Sequence, residues 1–464
     1  LIRLSTLILG DNEIGVRLPS VLGIGVASAY MISLARRWVS PRAALHTAIL
    51  SQSLLEFNVG GLLATADGIQ AAAWAAATYH VAGAFEDNRR SQWLIAGLWF
   101  GFGILSKYTM VIFLPGVFLY GLLSRVHRDR LAGIWPYAGL ALGTLAFSPV
   151  VLWNAANSWN SVRHVAFLGG ANQSFAIHWA FLGDYIASQA ALLSPLVFIL
   201  VLLAWGLAYK RRNATDPWIY GYLFFSSFPM VIGFAVLSLH TRVYGNWPGA
   251  GFIAPLILVA AFFSEKSATG SSSGVTAFGK KLWPWAIGTS YLITTLVLVQ
   301  VVWPVLPLPT HLDRTSTELQ GWQDLGAKAG SLKDQMPRPD KTFLFGLRYQ
   351  TASELAFYAP GKPDTVSINR WKRPNVYDYW WQDEDLMGWD AIGVTDRADS
   401  HVTKLSEVFE QVDPPVLLEI YRDRIGAEKD TNRKPVKVYY LYRAYRFKGG
   451  LRWIPPDAAD IRAN

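Results

Sequence analysis

Long apolar runs separated by short polar clusters occupy the chain up to about residue 300. A helix needs about 20 apolar residues to cross a bilayer, and ten of the runs reach or approach that length. The pattern predicts a polytopic α-helical membrane protein with about ten transmembrane helices. The runs are residues 18–35, 43–63, 68–85, 93–106, 108–123, 131–152, 186–208, 218–239, 249–263 and 283–303.

The basic residues between these runs predict which loops face the cytoplasm, where membrane proteins carry an excess of Lys and Arg. The stretch of residues 93–123 is too long for one helix and is flanked by basic clusters at Arg89 and Arg125. Both clusters lie on the cytoplasmic side only if the chain crosses twice, so we predict two short spans that meet near Lys107. The cytoplasmic loops are then residues 36–42, 89–90, 125–130, 210–212 and 266–281, and the opposite loops are residues 64–67, 107, 153–185 and 240–248.

The pattern changes after residue 306, where charge density rises and the apolar runs shorten. We predict a membrane core at residues 1–306 and a soluble, non-cytoplasmic α/β domain at residues 307–464. A Gly/Ser-rich stretch at residues 268–274 is predicted to be a flexible cytoplasmic loop. In the domain, predicted strands cover residues 342–345, 365–368, 391–394, 416–420 and 436–442, and predicted helices cover residues 351–358 and 400–412.

The composition is typical of a membrane protein and excludes several function classes. Of the 464 residues, 52% are hydrophobic and 16% are charged, against roughly 25% charged in soluble proteins. The net charge of +9 is scattered between the apolar runs and forms no basic stripe of the kind that binds nucleic acid. The chain has no cysteine, which excludes a disulfide framework and a thiolate metal site. It also lacks the glycine patterns of nucleotide-binding loops.

Four ionisable residues lie within or at the edge of apolar runs: Glu56, Asp67, His80 and Lys107. Such residues are costly in a membrane and are therefore functional candidates. Asp67 could instead cap the helix that follows it, and Lys107 could extend its amine to the lipid headgroups. Glu56 and His80 are better explained as interhelical hydrogen-bonding residues. An acid and a lysine at one membrane face suit a lipid that carries a phosphate, since the lysine neutralises phosphate charge and the acid orients a sugar hydroxyl or a metal.

Two loops predicted on the same face as Asp67 are rich in aromatic and polar residues. They are WNAANSWNSVRH, residues 153–164, and HTRVYGNWPG, residues 240–249. Their Trp residues could simply form the aromatic belt of the membrane interface, or the loops could bind a carbohydrate or a phosphate. The candidates for binding the phosphate and sugar of a donor are Lys107, Tyr108, Asn154, Trp159, Arg242, Asn246 and Trp247. In the tail, Arg348, Tyr349, Tyr377 and Asp378 are interpreted as structural.

Seven runs in this order resemble the bacterial branch of the dolichyl-phosphate-mannose protein mannosyltransferase superfamily, the family 39 glycosyltransferases, and more distantly the lipid A aminoarabinose transferases. The resemblance implies a GT-C glycosyltransferase core, whose active site faces the periplasm or lumen. It implies transfer of a hexose or pentose from a polyprenyl-phosphate donor to a hydroxyl of a lipid, glycan or protein. The runs are LIRLSTLILGDNEIGVRLPS, GGLLATADG, GILSKYTMVIFLPG, WNAANSW, RVYGNWPG, LRYQTASELAFY and NVYDYW.

The resemblance also implies roles for individual residues. Asp67 matches the acid of the family's T-P-D-like segment, here T-A-D with Ala66 in place of the usual Pro, and is the catalytic candidate in this sequence. Lys107 matches a segment that faces the lipid phosphate, and Arg242, Asn246 and Trp247 match a donor-side loop. The family's first span and first external loop, which carry its principal catalytic carboxylate, are expected upstream of Leu1, and Asp11 and Glu13 do not replace that carboxylate. This lowers the activity expected of residues 1–464 alone.

These inferences predict a multi-pass protein of the bacterial inner membrane with a periplasmic C-terminal domain. A cofactor is not required, and a divalent metal is permitted. The expected partners are the polyprenyl-phosphate-linked sugar, a lipid, glycan or protein acceptor, and the bilayer, but no nucleic acid. Two alternatives remain: a transporter or flippase of lipid-linked sugars, which should place polar residues at mid-membrane in two matching halves, and an assembly protein whose tail binds a periplasmic partner.

Overall fold

The computed structural model describes residues 1–264, 274–306, 308–309, 313–370, 375–397, 401–422 and 434–452. It divides into two compact units, Leu1–Leu296 and Val297–Asn464. The predicted Gly/Ser-rich loop lies outside the described residues except for Gly274, where a helix begins.

The first unit is entirely helical in its described part. Short 3-10 helices follow α6, α7 and α12, at Tyr108–Ile112, Arg128–Ala132 and Gly249–Phe252. Its α-helices are α1 (Ile2–Leu9), α2 (Glu13–Trp38), α3 (Pro41–Ser53), α4 (Leu55–Leu62), α5 (Ala66–Asp87), α6 (Arg90–Ser106), α7 (Phe113–Leu123), α8 (Trp135–Ala156), α9 (Asn160–Leu168), α10 (Trp179–Leu193), α11 (Pro195–Lys210), α12 (Ile219–Ser238), α13 (Ile253–Phe263) and α14 (Gly274–Val302), the last of which continues into the second unit.

Side chains of the types that favour helix N-termini begin several of these helices. Asn12 accepts a hydrogen bond from the Gly15 amide at 2.9 Å and begins α2. Ser40 accepts one from the Ala43 amide at 3.0 Å and begins α3, and Pro41 occupies the first position of that helix. Short polar sequences between the apolar runs therefore act as helix boundaries.

The chain is a multi-pass membrane protein. Within the described residues, four helices are long and apolar enough to cross a membrane: α2, α8, α12 and α14. The bent pair α10 and α11 makes a fifth if it counts as one span. The shorter segments Tyr108–Leu123 and Gly249–Phe263 are also apolar. The described residues therefore contain four or five candidate spans by length and composition, and about ten spans stays a prediction.

The predicted span over residues 186–208 contains a sharp bend in the structure. Helices α10 and α11 meet at an angle of 105°, and Ser194 between them has a φ of 66° and a ψ of 144°. The residue before a proline is disfavoured in the helical region, and Pro195 has no amide hydrogen to continue the hydrogen-bond ladder. The apolar pattern continues through this break, so it does not reveal the bend.

The predicted span over residues 43–63 consists of two helices in the structure. Leu54 is extended, with a φ of −87° and a ψ of 138°, and separates α3 from α4. The hydroxyls of Ser290 and Thr294 on α14 donate to the Ser53 carbonyl at 2.9 and 2.7 Å. Broken helices are tolerated in membranes where side chains satisfy the freed backbone groups, and α14 does so here.

Small residues allow the helices around α5 to approach closely, as is common in membrane bundles. A Cβ atom added at Gly23 on α2 would lie 2.5 Å from the carbonyl oxygen of Gly68 on α5. One added at Gly68 would lie 2.6 Å from the Ser20 carbonyl and hydroxyl oxygens. The crossing of α2 and α5 therefore depends on glycine at both positions, and it lies one residue from Asp67.

The second unit is built around a mixed six-stranded sheet. The parallel strands β2, β1 and β3 lie side by side, and β3 pairs antiparallel with β6, whose other edge carries β4 and β5. Its further helices are α15 (Arg314–Leu319), α16 (Trp322–Asp334), α17 (Tyr349–Tyr358), α18 (Asp383–Leu386) and α19 (His401–Val408), and its strands are β1 (Thr342–Gly346), β2 (Thr365–Ser367), β3 (Asp390–Thr395), β4 (Phe409–Val412), β5 (Val416–Ile420) and β6 (Lys437–Phe447).

Alternating residues of β1 separate two apolar cores, as expected for a strand buried on both faces. Phe343 and Phe345 pack with Phe409 and Phe447 on one face. Leu344 packs on the other face with residues of α16 and α17. The predicted strands agree with β1, β2, β3, β5 and β6 in position, and the predicted helix at residues 351–358 lies within α17.

The predicted helix at residues 400–412 is too long. Helix α19 ends at Val408, and Phe409–Val412 form β4. Strand β6 is 11 residues long, and β5 pairs with only its first part. Strand β4 pairs with the remaining part, where Phe409 lies opposite Phe447. Burial of Phe409 on the sheet outweighs continuation of the helix. Helix α16, which shields the opposite face, was not predicted.

The tail residues interpreted as structural have structural contacts. Asp378 accepts a hydrogen bond from the Asn375 amide at 2.7 Å in a capping box. The Tyr377 hydroxyl lies 3.0 Å from Ser353 Oγ. Arg348 pairs with Asp396 at 3.0 Å.

Candidate functional site

Asp67 lies in the first turn of α5, where its carboxylate binds three side chains. Lys107 Nζ lies 2.5 Å from Oδ1, and Asn246 Nδ2 donates to Oδ2 at 2.9 Å. The Thr65 hydroxyl donates to Oδ2 at 3.1 Å. Thr65 is also the residue that caps α5, by accepting from the Asp67 amide at 3.4 Å. The alternative that Asp67 caps the helix is therefore wrong, and its carboxylate is committed to side chains from two distant parts of the chain.

Lys107 lies at the corner where α6 ends. Its backbone is extended, with a φ of −153°, and its carbonyl accepts from the Met110 amide at 3.0 Å to begin the next 3-10 helix. The neighbouring Ser106 hydroxyl donates to the Ala66 carbonyl at 2.9 Å. Lys107 is 21% exposed and its amine pairs with Asp67, so it differs from a lysine that only extends to the headgroups. The end of α6 at this residue, together with the Ser106 contact, places its amine against α5.

A second polar contact holds the same corner against α5. Gln70 Nε2 donates to Thr109 Oγ1 at 2.7 Å. Gln70 lies three residues after Asp67, which is the spacing of one helical face. Sequence reasoning did not select Gln70, although a second polar residue at this spacing in an apolar helix is a usable signal.

A small pocket opens beside the Asp67–Lys107 pair. Its polar lining comes from Glu56, Asp67, Gln70 and Asn246, and its apolar lining includes Ile24, Phe57 and Ile253. Four helices, α2, α4, α5 and α13, and the turn before α13 contribute these residues. The pocket therefore combines two carboxylates and two amides, with the Lys107 amine bound to one of the carboxylates.

Glu56 contacts the turn that supplies Asn246. A Cβ atom added at Gly249 would lie 2.3 Å from Glu56 Oε1, so the carboxylate lies directly against the glycine. The described residues provide no hydrogen bond to the Glu56 side chain, so its expected interhelical hydrogen bond is not found among them. For His80 that expectation is confirmed: its ring nitrogens lie 2.7 Å from Gln92 Oε1 and 3.3 Å from the Tyr30 hydroxyl.

The other predicted donor-binding residues have different neighbours. Arg242 pairs with Asp184 at 3.2 Å, and both side chains are mostly exposed. Trp247 packs against Phe234 and Tyr244, in the same turn as Asn246.

Asn154 is buried, donates to the Val150 carbonyl at 2.9 Å and accepts from the Ser161 amide at 3.1 Å. It therefore shapes its own loop. Trp159 is 46% exposed, and the Tyr108 ring packs edge-on against Phe147. Of the seven predicted donor-binding residues, the structure brings Lys107 and Asn246 into contact with Asp67.

The described residues contain no group of three or more His, Cys, Asp or Glu side chains that could hold a metal ion. A carboxylate pair with amides can orient hydroxyl groups, and a lysine can neutralise a phosphate.

A family model matches residues 1–153, the part of the chain that carries Glu56, Asp67 and Lys107. Its description is dolichyl-phosphate-mannose-protein mannosyltransferase. Residues 1–153 are therefore similar to this family. The resemblance of the sequence to the mannosyltransferase superfamily is thereby confirmed. No curated protein matches the chain significantly at the sequence level.

Solved structures extend the similarity beyond the part that matches the mannosyltransferase family. ArnT from Cupriavidus metallidurans bound to undecaprenyl phosphate has a TM-score of 0.56 at 14% identity, over 95% of this chain and 86% of that one. Its apo state has a TM-score of 0.55 at 15% identity, with the same coverage. The archaeal oligosaccharyltransferase AglB from Archaeoglobus fulgidus, in complex with an inhibitory peptide and a dolichol phosphate, has a TM-score of 0.54 at 12% identity, over 84% of this chain and 60% of that one. The chain therefore has a GT-C-like fold with a C-terminal domain built on a mixed sheet.

Proposed function

We propose that the protein is an integral membrane glycosyltransferase that moves a sugar from a polyprenyl phosphate to a hydroxyl of a lipid, glycan or protein. The observation that carries the proposal is the contact of Asp67 with Lys107 and Asn246 at the edge of a pocket. Similarity to the mannosyltransferase family over residues 1–153 supports it. The ligands of the structural relatives, undecaprenyl phosphate and dolichol phosphate, are of the same chemical class.

In the proposed reaction, the oxygen of the acceptor hydroxyl attacks the anomeric carbon of the sugar. The bond from that carbon to the phosphate oxygen breaks, its electron pair stays on the phosphate, and the configuration inverts. The acceptor proton passes to a carboxylate that acts as general base. The sugar-phosphate bond supplies the free energy, so the reaction requires no nucleotide.

Lys107 has the central electrostatic role in this proposal. Negative charge grows on the phosphate as its bond to the sugar breaks, and a positioned ammonium stabilises that charge in the transition state. Asp67 fixes the position of the ammonium at 2.5 Å, and Asn246 fixes the other oxygen of Asp67. The pair is thus oriented before the donor arrives, which reduces the reorganisation required during the reaction.

The finer topology belongs to the same proposal. We place about ten spans in the bacterial inner membrane, with the Asp67 face and the C-terminal domain in the periplasm. Alternation of basic loops along the sequence supports this orientation. A divalent metal is compatible with the two carboxylates of the pocket, and the proposed chemistry proceeds without one.

A transporter of lipid-linked sugars is the second candidate, and the two interrupted helices favour it. Transporters bind substrates where helices break near mid-membrane, and the chain breaks at Leu54 and at Ser194. The polar contacts of Asp67 lie instead at the end of α5, and the two breaks occur in helices of different length and sequence. These features favour the transferase.

The first experiment measures sugar transfer in membranes that contain the protein. A panel of radiolabelled polyprenyl-phosphate sugars is the donor, and Asp67→Asn and Lys107→Ala are the variants. We expect transfer to fall by about 10²–10³-fold in both, the usual loss when one group that stabilises transition-state charge is removed.

Two matched controls lie far from the pocket. Asp87→Asn changes an acid at the other end of α5, which pairs with Arg37, and Lys210→Ala changes an exposed lysine at the end of α11. Both should keep normal transfer. Undiminished transfer in the Asp67 and Lys107 variants would reject their proposed roles. Translocation of the lipid-linked sugar without transfer would establish the transporter instead.

A further inference from the structure

The carboxylate of Glu56 lies in the pocket without a hydrogen-bonding partner among the described residues. It is in the first turn of α4, directly after the break at Leu54, and it lines the pocket together with Asp67 and Asn246. The neighbouring wall at Ile24, Phe57 and Ile253 is apolar. A carboxylate in such surroundings is unfavourable unless a polar group satisfies it. Its position therefore points to a hydrogen-bond donor that enters the pocket.

The turn after α12 positions both carboxylates of the pocket. Asn246 donates to Asp67 at 2.9 Å, and Gly249, whose amide donates to the Asn246 carbonyl at 3.2 Å, lies against Glu56. A Cβ atom at position 249 would meet Glu56 Oε1 at 2.3 Å. A side chain at position 249 would displace the Glu56 carboxylate from its present place. The turn at residues 246–249 therefore contacts Asp67 through a hydrogen bond and Glu56 through van der Waals contact with Gly249.

The contacts of Asp67 indicate where the phosphate and the sugar of a donor would bind. Lys107 contacts Oδ1 of Asp67 and Asn246 contacts Oδ2, and Glu56 lies against Gly249 of the turn that carries Asn246. In a polyprenyl-phosphate sugar, the sugar is bonded directly to the phosphate. A phosphate bound by Lys107 therefore brings the sugar to the carboxylate side of the pocket. Sugar hydroxyls are hydrogen-bond donors, and an ionised carboxylate is an acceptor with two oxygens.

We propose that Glu56 binds the sugar of the lipid-linked donor, by accepting hydrogen bonds from its hydroxyl groups. This inference rests on the proposed function and adds a sugar-recognition residue to it. Lys107 recognises the phosphate, which every donor of this class carries. Glu56 recognises the sugar, which is present in the donor and absent from the polyprenyl phosphate that remains after transfer.

The experiment compares two ligands on the protein in nanodiscs: undecaprenyl phosphate and undecaprenyl-phosphate-linked hexose. Glu56→Gln should weaken binding of the sugar-linked lipid by roughly 10- to 100-fold, the range expected for hydrogen bonds to a charged group. It should leave binding of undecaprenyl phosphate within about twofold, because that lipid has no sugar. Lys107→Ala should weaken both ligands.

Gly249→Ala is a second test that keeps Glu56 in the sequence. The added methyl group displaces the carboxylate, so this variant should also lose affinity selectively for the sugar-linked lipid. Glu86→Gln is the matched control, since Glu86 is an exposed acid on α5 that pairs with Arg37, and it should bind both ligands normally. The thermal unfolding temperature of each variant, compared with that of the unsubstituted protein, tests whether the variant is folded.

The outcomes separate this inference from the proposed function. Equal affinity of Glu56→Gln and the unsubstituted protein for the sugar-linked lipid would overturn the inference while the transferase stands. Equal weakening of both ligands would also overturn it, since the effect would then not depend on the sugar. Failure of the unsubstituted protein to bind either lipid would overturn the proposed function and the inference together.

Discussion

The Asp67–Lys107 pair shows how modest energies at single residues can still define a site. Both side chains are 21% exposed, and ion pairs near a surface contribute only about 0–1 kcal/mol to stability. The pair therefore matters little for holding α5 to the end of α6, where Ser106 and Gln70 also make hydrogen bonds. Its larger effect is orientation, because Asp67 holds the ammonium at one point of the pocket.

Asn246 is the residue that tests this orientation without removing either charge. Asn246→Ala deletes the donor to Asp67 Oδ2, while Thr65 and Lys107 remain bound to the carboxylate. We expect sugar transfer to fall by roughly tenfold, which corresponds to one hydrogen bond to a charged group, and therefore less than in Asp67→Asn. Steady-state transfer with a saturating acceptor measures this.

Asn157→Ala is the control, because the Asn157 amide donates only to the Trp153 carbonyl of its own helix, at 2.8 Å. A loss in Asn246→Ala as large as in Asp67→Asn would mean that Asn246 contacts the substrate itself. No loss at all would show that the Asp67 carboxylate does not need this hydrogen bond.

At the scale of the helices, the crossing of α2 and α5 determines where Asp67 lies. Gly23 and Gly68 allow the two backbones to approach so closely that a Cβ atom on either would meet backbone atoms of the other at 2.5–2.6 Å. Overpacking of this kind costs about 1–3 kcal/mol. It also moves the first turn of α5, which carries Asp67.

Gly68→Ala should therefore lower both stability and transfer. We expect a loss of about 1–3 kcal/mol in the free energy of unfolding, measured by denaturant titration in detergent micelles, together with reduced sugar transfer. Gly25→Ala is the matched control, since a Cβ atom there would meet no other atom within 4 Å. Equal stability of the two variants would show that the helices adjust to the methyl group at no cost.

At the scale of the whole molecule, orientation in the membrane determines which compartment supplies the donor. The native chain contains no cysteine, so single introduced cysteines report topology without interference. Arg163→Cys and Gln323→Cys place a thiol at exposed positions of the predicted periplasmic loop and C-terminal domain, and Lys210→Cys places one on the predicted cytoplasmic side.

A membrane-impermeant thiol reagent should label Arg163→Cys and Gln323→Cys in intact cells. It should label Lys210→Cys only after the membrane is permeabilised. Joint protection of Gln323→Cys and Lys210→Cys would place the C-terminal domain in the cytoplasm and contradict the predicted number of crossings.

The sequence alone was sufficient for features that depend on local patterns. Apolar runs identified a multi-pass membrane protein, since burial in lipid requires such runs. Short apolar runs identified β1, β2, β3, β5 and β6 of the second unit, because a strand with a core on each face, such as β1, is buried at successive residues. The end of a helix near Lys107 followed from charge on the flanking loops, and the resemblance to the mannosyltransferase family followed from the order of short motifs.

Only the tertiary structure decided features that depend on contacts between distant residues. The breaks at Leu54 and Ser194 leave the apolar pattern unchanged, so the spans predicted at residues 43–63 and 186–208 did not reveal them. Asn246 and Asp67 are 179 residues apart, and only folding brings them together, whereas Arg242 and Asn154 have other partners. Glu56 lies against Gly249 because the missing side chain of that glycine leaves room for its carboxylate. A residue's type limits the chemistry that it can perform, and its neighbours in the fold determine which chemistry it performs.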